Sequence, residues 1–222
     1  MPKDPTCLPS EEVSMVNRSA DFASLLCSRL CHDLLSPVGA LNNGIELLAD
    51  ETDPEMRERC MELLAESAQT TANRLKFYRL AFGAAGGFGE RVDTREAREA
   101  IEGLHGNGKV RLGWMVDAPT LPKPAIKTLL NLALIAGDAL VRGGQLDIAA
   151  EGGEVVIRAE GPRVVLDPEL RNALLGHADP DLVSPRAAAA WLVHILVSEQ
   201  GGAVQVSQPE DGLLMIGATL PA

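Results

Sequence analysis

The sequence predicts an α+β protein, in which a hairpin of two long helices is followed by a mixed α/β domain. Between about residues 21 and 82, apolar side chains recur at steps of three and four, which is typical of amphipathic helices. After the glycine-rich stretch 83–89, short alternating apolar runs and helical patterns follow one another, which is typical of a mixed sheet. We therefore divide the chain into an N-terminal arm (1–18), a helical hairpin (19–86) and an α/β domain (87–222). The arm is rich in proline and polar groups and is expected to be loose.

The first helix is expected to run from about Asp21, which can serve as its N-cap, to about Ala49. Its apolar positions form one stripe: Leu26, Leu30, Leu34, Pro37, Leu41, Ile45 and Leu48. At about 100° per residue, His32 lies about 200° from both Leu30 and Leu34. The histidine is therefore predicted to face solvent.

The second helix is expected to follow a short acidic turn at residues 50–54. Thr52 and Glu55 fit the capping box that opens many helices, and the glycine cluster ends this helix at about Phe82. Its inner stripe is predicted to consist of Met56, Cys60, Leu63, Leu64, Thr71, Leu75 and Tyr78. A two-helix hairpin cannot bury both stripes alone. We therefore expect a homodimer, in which two hairpins form a four-helix bundle with a pair of outward-facing histidines.

The elements of the α/β domain follow from periodicity and from the positions of glycine and proline. They are, in order, a short strand and helix (Val92–Gly103), a strand (Val110–Val116), a helix started by proline (Pro124–Val141), a hairpin around Gly152-Gly153 (Gln145–Ala150 and Glu154–Ala159), two helices (near Asp167–Leu175 and Ser184–Gln200) and a closing strand pair (Ala203–Ser207 and Leu213–Leu220).

Composition excludes several classes of partner. The 222 residues carry a formal charge of −11 and a pI near 4.8, which disfavours nucleic acid or an anionic membrane surface as the main partner. No stretch is long and apolar enough to span a bilayer, and the first residues lack the basic and apolar regions of a signal peptide, so we expect a cytoplasmic protein. Its cysteines, Cys7, Cys27, Cys31 and Cys60, form no Cys-x-x-Cys pair. Core packing explains Cys27 and Cys31 better than a metal site shared with His32.

The most informative motif is the run His32-Asp33-Leu34-Leu35-Ser36-Pro37-Val38 within the first helix. A neutral imidazole nitrogen is a nucleophile near neutral pH, and an exposed helix face lets the active site of a partner reach it. Pro37 has no backbone N–H, so it frees the carbonyl of Asp33 and should bend the helix just beyond the histidine. The alternative is a surface histidine that happens to precede a proline.

These residues resemble the phosphoacceptor box of two-component sensor histidine kinases, which reads His, Asp or Glu, Leu, any residue, Ser or Thr, then Pro. The order of elements after the hairpin is similar to that of the ATP-binding domain that follows the box in these kinases. The resemblance therefore covers nearly all of the chain beyond the N-terminal arm, and it implies an α/β sandwich for the second domain.

Three departures from the kinase pattern concern nucleotide contacts. In Asn131-Leu132-Ala133-Leu134-Ile135-Ala136, Ile135 occupies the position of the kinase asparagine that binds magnesium, and an alkyl group cannot coordinate a hard cation. The kinase Asp-x-Gly-x-Gly aligns with residues 159–163, where the aspartate is missing unless Glu160 substitutes for it. Residues 185–191, which replace the glycine-rich phosphate loop, are alanine-rich and are expected to form rigid helix.

An intact histidine box beside a degenerate nucleotide site is similar to the ChpT family of alphaproteobacterial histidine phosphotransferases. This resemblance implies a relay of phosphoryl groups via His32 without ATP. It implies a CckA-like hybrid kinase receiver upstream and CtrA-like and CpdR-like response regulators downstream, with no cofactor on this chain and Mg²⁺ on the partner receiver domain. Asp33 is the candidate to orient the imidazole, and the alternative for it is a salt bridge with Arg29. Ser36 is expected to form a hydrogen bond either with the transferring group or with its own helix backbone.

Partner binding is expected on the exposed face of the first helix around the histidine, with Arg29, Leu35 and Gly39 as candidate contacts. The other histidines, His105, His177 and His194, lie outside any matching motif and are interpreted as structural or surface residues. Two alternatives stay open. One is an active ATP-dependent histidine kinase core with unusual nucleotide boxes, and the other is a non-enzymatic dimeric adaptor for receiver domains.

Overall fold

The computed structural model describes residues 10–83, 90–106 and 108–221, and for residues 10–18 it describes the backbone alone. In chain order the elements are α1 (Ser10–Asp50), α2 (Pro54–Ala81), β1 (Arg91–Asp93), α3 (Thr94–Leu104), β2 (Val110–Met115), β3 (Thr120–Pro122), α4 (Lys123–Ala139), β4 (Gly144–Glu151), β5 (Glu154–Glu160), α5 (Pro168–Leu174), a 3₁₀ turn (Pro180–Leu182), α6 (Ala188–Glu199), β6 (Ala203–Val206) and β7 (Leu213–Thr219).

The predicted fold class is confirmed, because a long helical hairpin precedes an α/β domain. The prediction that residues 1–18 form a loose arm is wrong for residues 10–18, which belong to α1; residues 1–9 lie outside the described part of the chain. The helix starts at Ser10 and not at Asp21, since residues 10–20 contain no proline or glycine that would interrupt it.

The start of α2 corrects a second prediction. Asp53, and not Thr52, is the N-cap, and its carboxylate accepts a hydrogen bond of 3.0 Å from the backbone N–H of Glu55. Pro54 follows at the first helical position, where a missing N–H costs nothing and the fixed φ favours the helix. The helix ends one residue before Phe82, which serves as its C-cap, in agreement with the expected end.

The core of the α/β domain lies between one face of a five-stranded sheet and its helices. The strand order is β2-β4-β5-β7-β6, with β2 parallel to β4 and the other neighbours antiparallel. Helix α4 lies against the central strands and α6 against β6, and alternate side chains of the central strands are buried: Leu146, Ile148, Val155, Ile157, Leu214 and Ile216. Gly152 and Gly153 have φ of 57° and 86°, the left-handed backbone that a two-residue hairpin turn requires, so the predicted hairpin is confirmed.

Two elements of this domain differ from the prediction. β3 was not predicted, since three residues are too few to show alternation; it pairs with β1 in a separate two-stranded sheet. α6 begins at Ala188 and not at Ser184, because residues 185–187, which include Pro185, form a turn.

The hairpin packs onto the α/β domain through the C-terminal end of α2. Phe77, Tyr78, Leu80 and Ala81 are buried in the same apolar cluster as α4 and the sheet, and α2 also lies against α3. α1 contacts α6 on the other side. The part of α1 that carries His32 is thus held beside the α/β domain. Among the described helices none has a stretch that is long and apolar enough to cross a membrane.

Candidate functional site

His32 lies on the solvent face of α1, as predicted, with 85% of its side chain exposed. Its Nδ1 lies 3.1 Å from Oδ1 of Asp33. An ionised carboxylate can only accept hydrogen bonds, so this contact is a hydrogen bond when Nδ1 carries the proton. The geometry favours that tautomer, which leaves Nε2 with a free lone pair that faces solvent.

Asp33 is held from several sides, although it follows an exposed residue. Only 16% of its side chain is exposed, and its Oδ2 accepts hydrogen bonds from Nε of Arg29 at 2.7 Å and from the hydroxyl of Tyr78. Burial opposes ionisation, but the hydrogen bonds from Tyr78, His32 and Arg29 outweigh it and hold the pKa of Asp33 below its ordinary value. At a pH above the ordinary pKa of aspartate, the ionised carboxylate therefore stabilises the folded protein. This stabilisation is lost as the pH falls through the lowered pKa of Asp33.

The guanidinium of Arg29 joins α1 to the α/β domain. Besides Asp33, it donates to Oδ2 of Asp138 at the end of α4, at 2.9 Å, and to the backbone carbonyl of Arg186 before α6, at 3.2 Å. Burial disfavours its charge, but the two carboxylates more than compensate and raise its pKa. Its side chain is 11% exposed. The alternative role considered for Asp33, a salt bridge with Arg29, is thus present together with the contact to His32. A direct contact between Arg29 and a partner stays a prediction.

The carbonyl of Asp33, which Pro37 deprives of its helical donor, has found a partner on the second helix. Arg74 of α2 donates a hydrogen bond to this oxygen, and Tyr78 lies one helical turn further along α2. Sequence reasoning missed both residues as site residues. The proline did signal an acceptor without its helical partner, but no local pattern tells which distant side chain supplies the donor.

A cleft of about 480 Å³ opens beside the histidine. Its walls come from α1, from the end of α4 and from the segment before α6, and they include Ser28, His32, Asp138, Ser184 and Arg186. Arg186 is exposed on this wall and forms an ion pair of 2.9 Å with Asp167. The α/β domain therefore forms one side of the space into which a group bound to His32 would project.

Two of the three residues predicted for partner binding, Leu35 and Gly39, lie on the same exposed part of α1. Leu35 is 70% exposed, and Ser36 is exposed one turn after His32. A Cβ placed on Gly39 would meet nothing within 4 Å, so this position is open to solvent or to a partner. The structure brings Leu35, Ser36 and Gly39 onto one surface next to the histidine, while Arg29 turns inward.

Of the remaining histidines, His105 lines a pocket that Arg29, Asp33, Arg74 and Tyr78 also line. His177 is exposed, His194 stacks on Trp191 with ring centroids 5.0 Å apart, and the ring of His105 packs on Gly137. Burial lowers the pKa of His105. The expectation that Cys27 and Cys31 pack in the core is wrong, because both are exposed on α1. No cluster of three or more residues suited to a metal ion occurs within the described ranges.

The residues that the resemblance aligns with nucleotide contacts of kinases make the following contacts in the structure. Ile135 is buried in the core, and Asn131 donates to the backbone carbonyls of Ala81 and Lys127 at 3.2 and 2.8 Å. Glu160 pairs with Arg158 at 2.5 Å. The expectation of rigid helix over residues 185–191 is correct only from Ala188 onward, because a turn precedes α6.

An exposed histidine on a helical hairpin, with an ionised carboxylate at one ring nitrogen and an α/β domain alongside, is the arrangement expected of a histidine phosphotransfer protein. Residues 94–212 match the family described as histidine phosphotransferase C-terminal domain. The chain is 44% identical over 131 residues to the protein phosphotransferase ChpT of Brucella abortus (strain 2308), a match that spans 59% of this chain and 61% of that protein.

A solved structure of a bacterial phosphotransferase superposes on this chain with a TM-score of 0.79 and 31% sequence identity, covering 97% of this chain and all of the other. The family match covers more than half of the chain, and the structural match covers nearly all of it. The chain belongs to the ChpT family of histidine phosphotransferases.

Proposed function

We propose that this protein relays phosphoryl groups between receiver domains through His32. The observation that carries the proposal is the geometry of the imidazole, which is 85% exposed at the edge of a cleft and has Nδ1 directed at the ionised Asp33. The side chain is accessible to the active site of another protein, and Nδ1 is engaged with Asp33, which leaves Nε2 free to react. Both features are needed for a phosphoryl carrier.

In the proposed step, a receiver domain that carries a phosphoaspartate docks over His32. The Nε2 lone pair attacks phosphorus in line, a P–N bond forms, and the P–O bond to the aspartate breaks. The aspartate leaves as a carboxylate. The Nδ1 proton stays on the ring, and Asp33 balances the positive charge that the ring acquires. The reverse step transfers the phosphoryl group to the aspartate of a second receiver.

The proposed partners follow from the family. They are the receiver domain of a CckA-like hybrid kinase as donor and CtrA-like and CpdR-like response regulators as acceptors. In this scheme Mg²⁺ is bound by the receiver domain, where it neutralises the phosphoryl oxygens during transfer. Incubation of the purified chain with a phosphorylated receiver domain tests the relay, since phosphohistidine is stable in alkali and labile in acid. Failure to acquire such a label would contradict the proposal.

We further propose that the protein acts as a homodimer. The hairpin leaves large apolar side chains of the predicted inner stripes exposed: Ile45, Met56, Leu63 and Leu75. These side chains belong to the faces predicted to turn inward, and a four-helix bundle of two hairpins would cover them.

ATP with Mg²⁺ is expected to leave the melting temperature of the protein unchanged. The position of the magnesium ligand is taken by Ile135, which is buried in the core, so the hard cation has no oxygen donor there. A ligand at a hundredfold its dissociation constant stabilises a protein by about 2.7 kcal/mol, which a thermal shift assay detects readily. A cognate receiver domain at the same molar excess provides the positive control. A shift with ATP that requires Mg²⁺ would favour the histidine kinase alternative.

Leu35→Ala and Gly39→Glu are each expected to weaken receiver binding by about tenfold or more. A receiver aspartate comes within reach of His32 only if its surface packs over the adjacent turns of α1, where Leu35 would be covered and a charge at Gly39 would meet the partner. Isothermal titration measures the affinity. Met115→Ala, which removes an exposed apolar side chain from edge strand β2, is the matched control. Unchanged affinity in both α1 variants would place docking elsewhere.

A further inference from the structure

The second helix of the hairpin supplies two contacts to the residue that faces His32. Tyr78 donates to Oδ2 of Asp33, and Arg74 donates to the backbone carbonyl of the same residue. They are four residues apart in α2, so they lie on one face of that helix and reach Asp33 together. The side chain and the backbone of Asp33 are thus both bound from a helix that carries none of the predicted site residues.

The contact of Arg74 depends on the proline of the histidine box. In an uninterrupted helix the carbonyl of Asp33 would accept from the backbone N–H four residues later, which is position 37. Pro37 is buried and has no N–H to give. The guanidinium of Arg74 donates a hydrogen bond to the carbonyl oxygen of Asp33 in its place. A positive charge from α2 is therefore fixed one residue from the phosphoacceptor.

Tyr78 is suited to be a permanent donor. Its ring is packed edge-on against Phe77, at 5.6 Å between centroids, and stacked on Phe82 at 5.1 Å, so it has little freedom to turn away. Burial, and then the adjacent Asp33, raise the pKa of its hydroxyl. The phenol consequently stays protonated throughout the neutral range and donates to Oδ2.

Occupation of Oδ2 determines what Oδ1 can do. With Tyr78 and Arg29 both donating to Oδ2, the carboxylate cannot rotate without losing two hydrogen bonds, and Oδ1 stays directed at Nδ1 of His32, 3.1 Å away. A fixed acceptor at Nδ1 selects the tautomer protonated on that nitrogen. Nε2 then keeps its lone pair on the exposed side.

The geometry points to Tyr78 and Arg74 as positioning residues for phosphoryl transfer. They hold Asp33 from α2, so that Asp33 keeps the proton of His32 on Nδ1 and presents Nε2 as the attacking nitrogen. This inference rests on the proposed relay through His32. Neither residue touches the phosphoryl group, and the transfer step itself is the one given above.

Tyr78→Phe and Arg74→Met test this assignment. Phenylalanine keeps the ring between Phe77 and Phe82 and removes only the donor to Asp33. Nitrogen NMR of isotope-labelled histidine, with His32 assigned by comparison with His32→Gln, reports the tautomer at a pH where the ring is neutral. We expect the Nδ1-protonated form to dominate in the unmodified protein and to decline in both variants. Single-turnover transfer from a phosphorylated receiver should slow by between about tenfold and a hundredfold, the range observed for groups that orient a metal-ligating histidine.

Arg79→Met is the matched control for Arg74→Met. Arg79 is exposed on the same helix but lines the groove between α2 and α3, so both the tautomer and the rate should stay unchanged. A slower rate with an unchanged tautomer spectrum would overturn the assignment, because it would mean that the α2 residues act only on stability or docking. No change in either quantity would overturn it as well.

The two proposals fail in distinguishable ways. The tautomer measurement needs no receiver, whereas the relay needs one. A protein that never acquires phosphate on His32 would refute the proposed function, whatever the NMR spectra of the α2 variants show. A protein that acquires phosphate normally, with Tyr78→Phe and Arg74→Met both indistinguishable from the unmodified chain, would refute only the positioning role.

Discussion

His32→Gln is expected to accept no phosphate from a receiver domain and yet to fold and dimerise like the unmodified protein. The amide nitrogen of glutamine is not nucleophilic, so no P–N bond can form. The side chain is 85% exposed, and substitutions at such positions usually change the free energy of unfolding by less than about 0.5 kcal/mol. Loss of acid-labile label, together with an unchanged melting temperature and sedimentation behaviour, is the expected result.

His177→Gln is the matched control, because His177 is also exposed but lies outside the histidine box, after α5. This variant should accept phosphate at the normal rate. Transfer that survives in His32→Gln would contradict the mechanism outright. Receiver affinity that is unchanged in His32→Gln, with signalling intact in cells, would instead favour the adaptor alternative, in which the same surface serves only for docking.

The hairpin and most of the sheet could be predicted from the sequence because their signals are local. Apolar steps of three and four identify α1 and α2, and Gly152-Gly153 marks the β4–β5 turn. The predicted element boundaries differ from the structure where local signals are weak or ambiguous. Asp21 can cap a helix but does not, since residues 10–20 continue the helical backbone.

The exposed position of His32 followed from the helical wheel alone, but the surroundings of Asp33 did not. The donors to Asp33 from α2 are 41 and 45 residues away in the chain, and Asp138 lies 109 residues from Arg29. Periodicity assigned Tyr78 to an apolar stripe, which correctly predicts its burial but says nothing of its hydroxyl. Contacts of this range depend on how the two domains pack, and a pattern within one helix carries no information about them.

Arg29 also makes contacts that are distant in the sequence and could not be predicted from it. A basic residue one turn before an exposed histidine suggests a partner contact, because long charged side chains on helices usually face solvent. The structure contains the salt bridge with Asp33 that the sequence allowed, and it adds contacts with Asp138 and with the carbonyl of Arg186, which connect the hairpin to the α/β domain. The consequence is that substitution of Arg29 should affect stability as well as activity.

Arg29→Ala is expected to lower the free energy of unfolding by about 3 kcal/mol. Removing one partner of a buried ion pair leaves the other charge without compensation, which costs about 3–5 kcal/mol, and the partial exposure of Asp138 favours the lower end of this range. Asp33 is 16% exposed. In this variant its Oδ2 would keep the neutral donor Tyr78 and lose the positively charged donor Arg29. Urea unfolding of both proteins at neutral pH and equal concentration measures the difference.

Arg59→Ala is the matched control for Arg29→Ala. Like Arg29 and Asp33, Arg59 and Glu55 are four residues apart in one helix and form an ion pair, here at 2.6 Å. Both of these side chains are largely exposed. Exposed pairs of this type contribute less than about 1 kcal/mol, so this variant should lose little stability. The loss in Arg29→Ala should also shrink in acid, because a protonated Asp33 no longer requires a cation. Equal losses in the two variants, or a loss that does not depend on pH, would show that Arg29 does not act through the charge of Asp33.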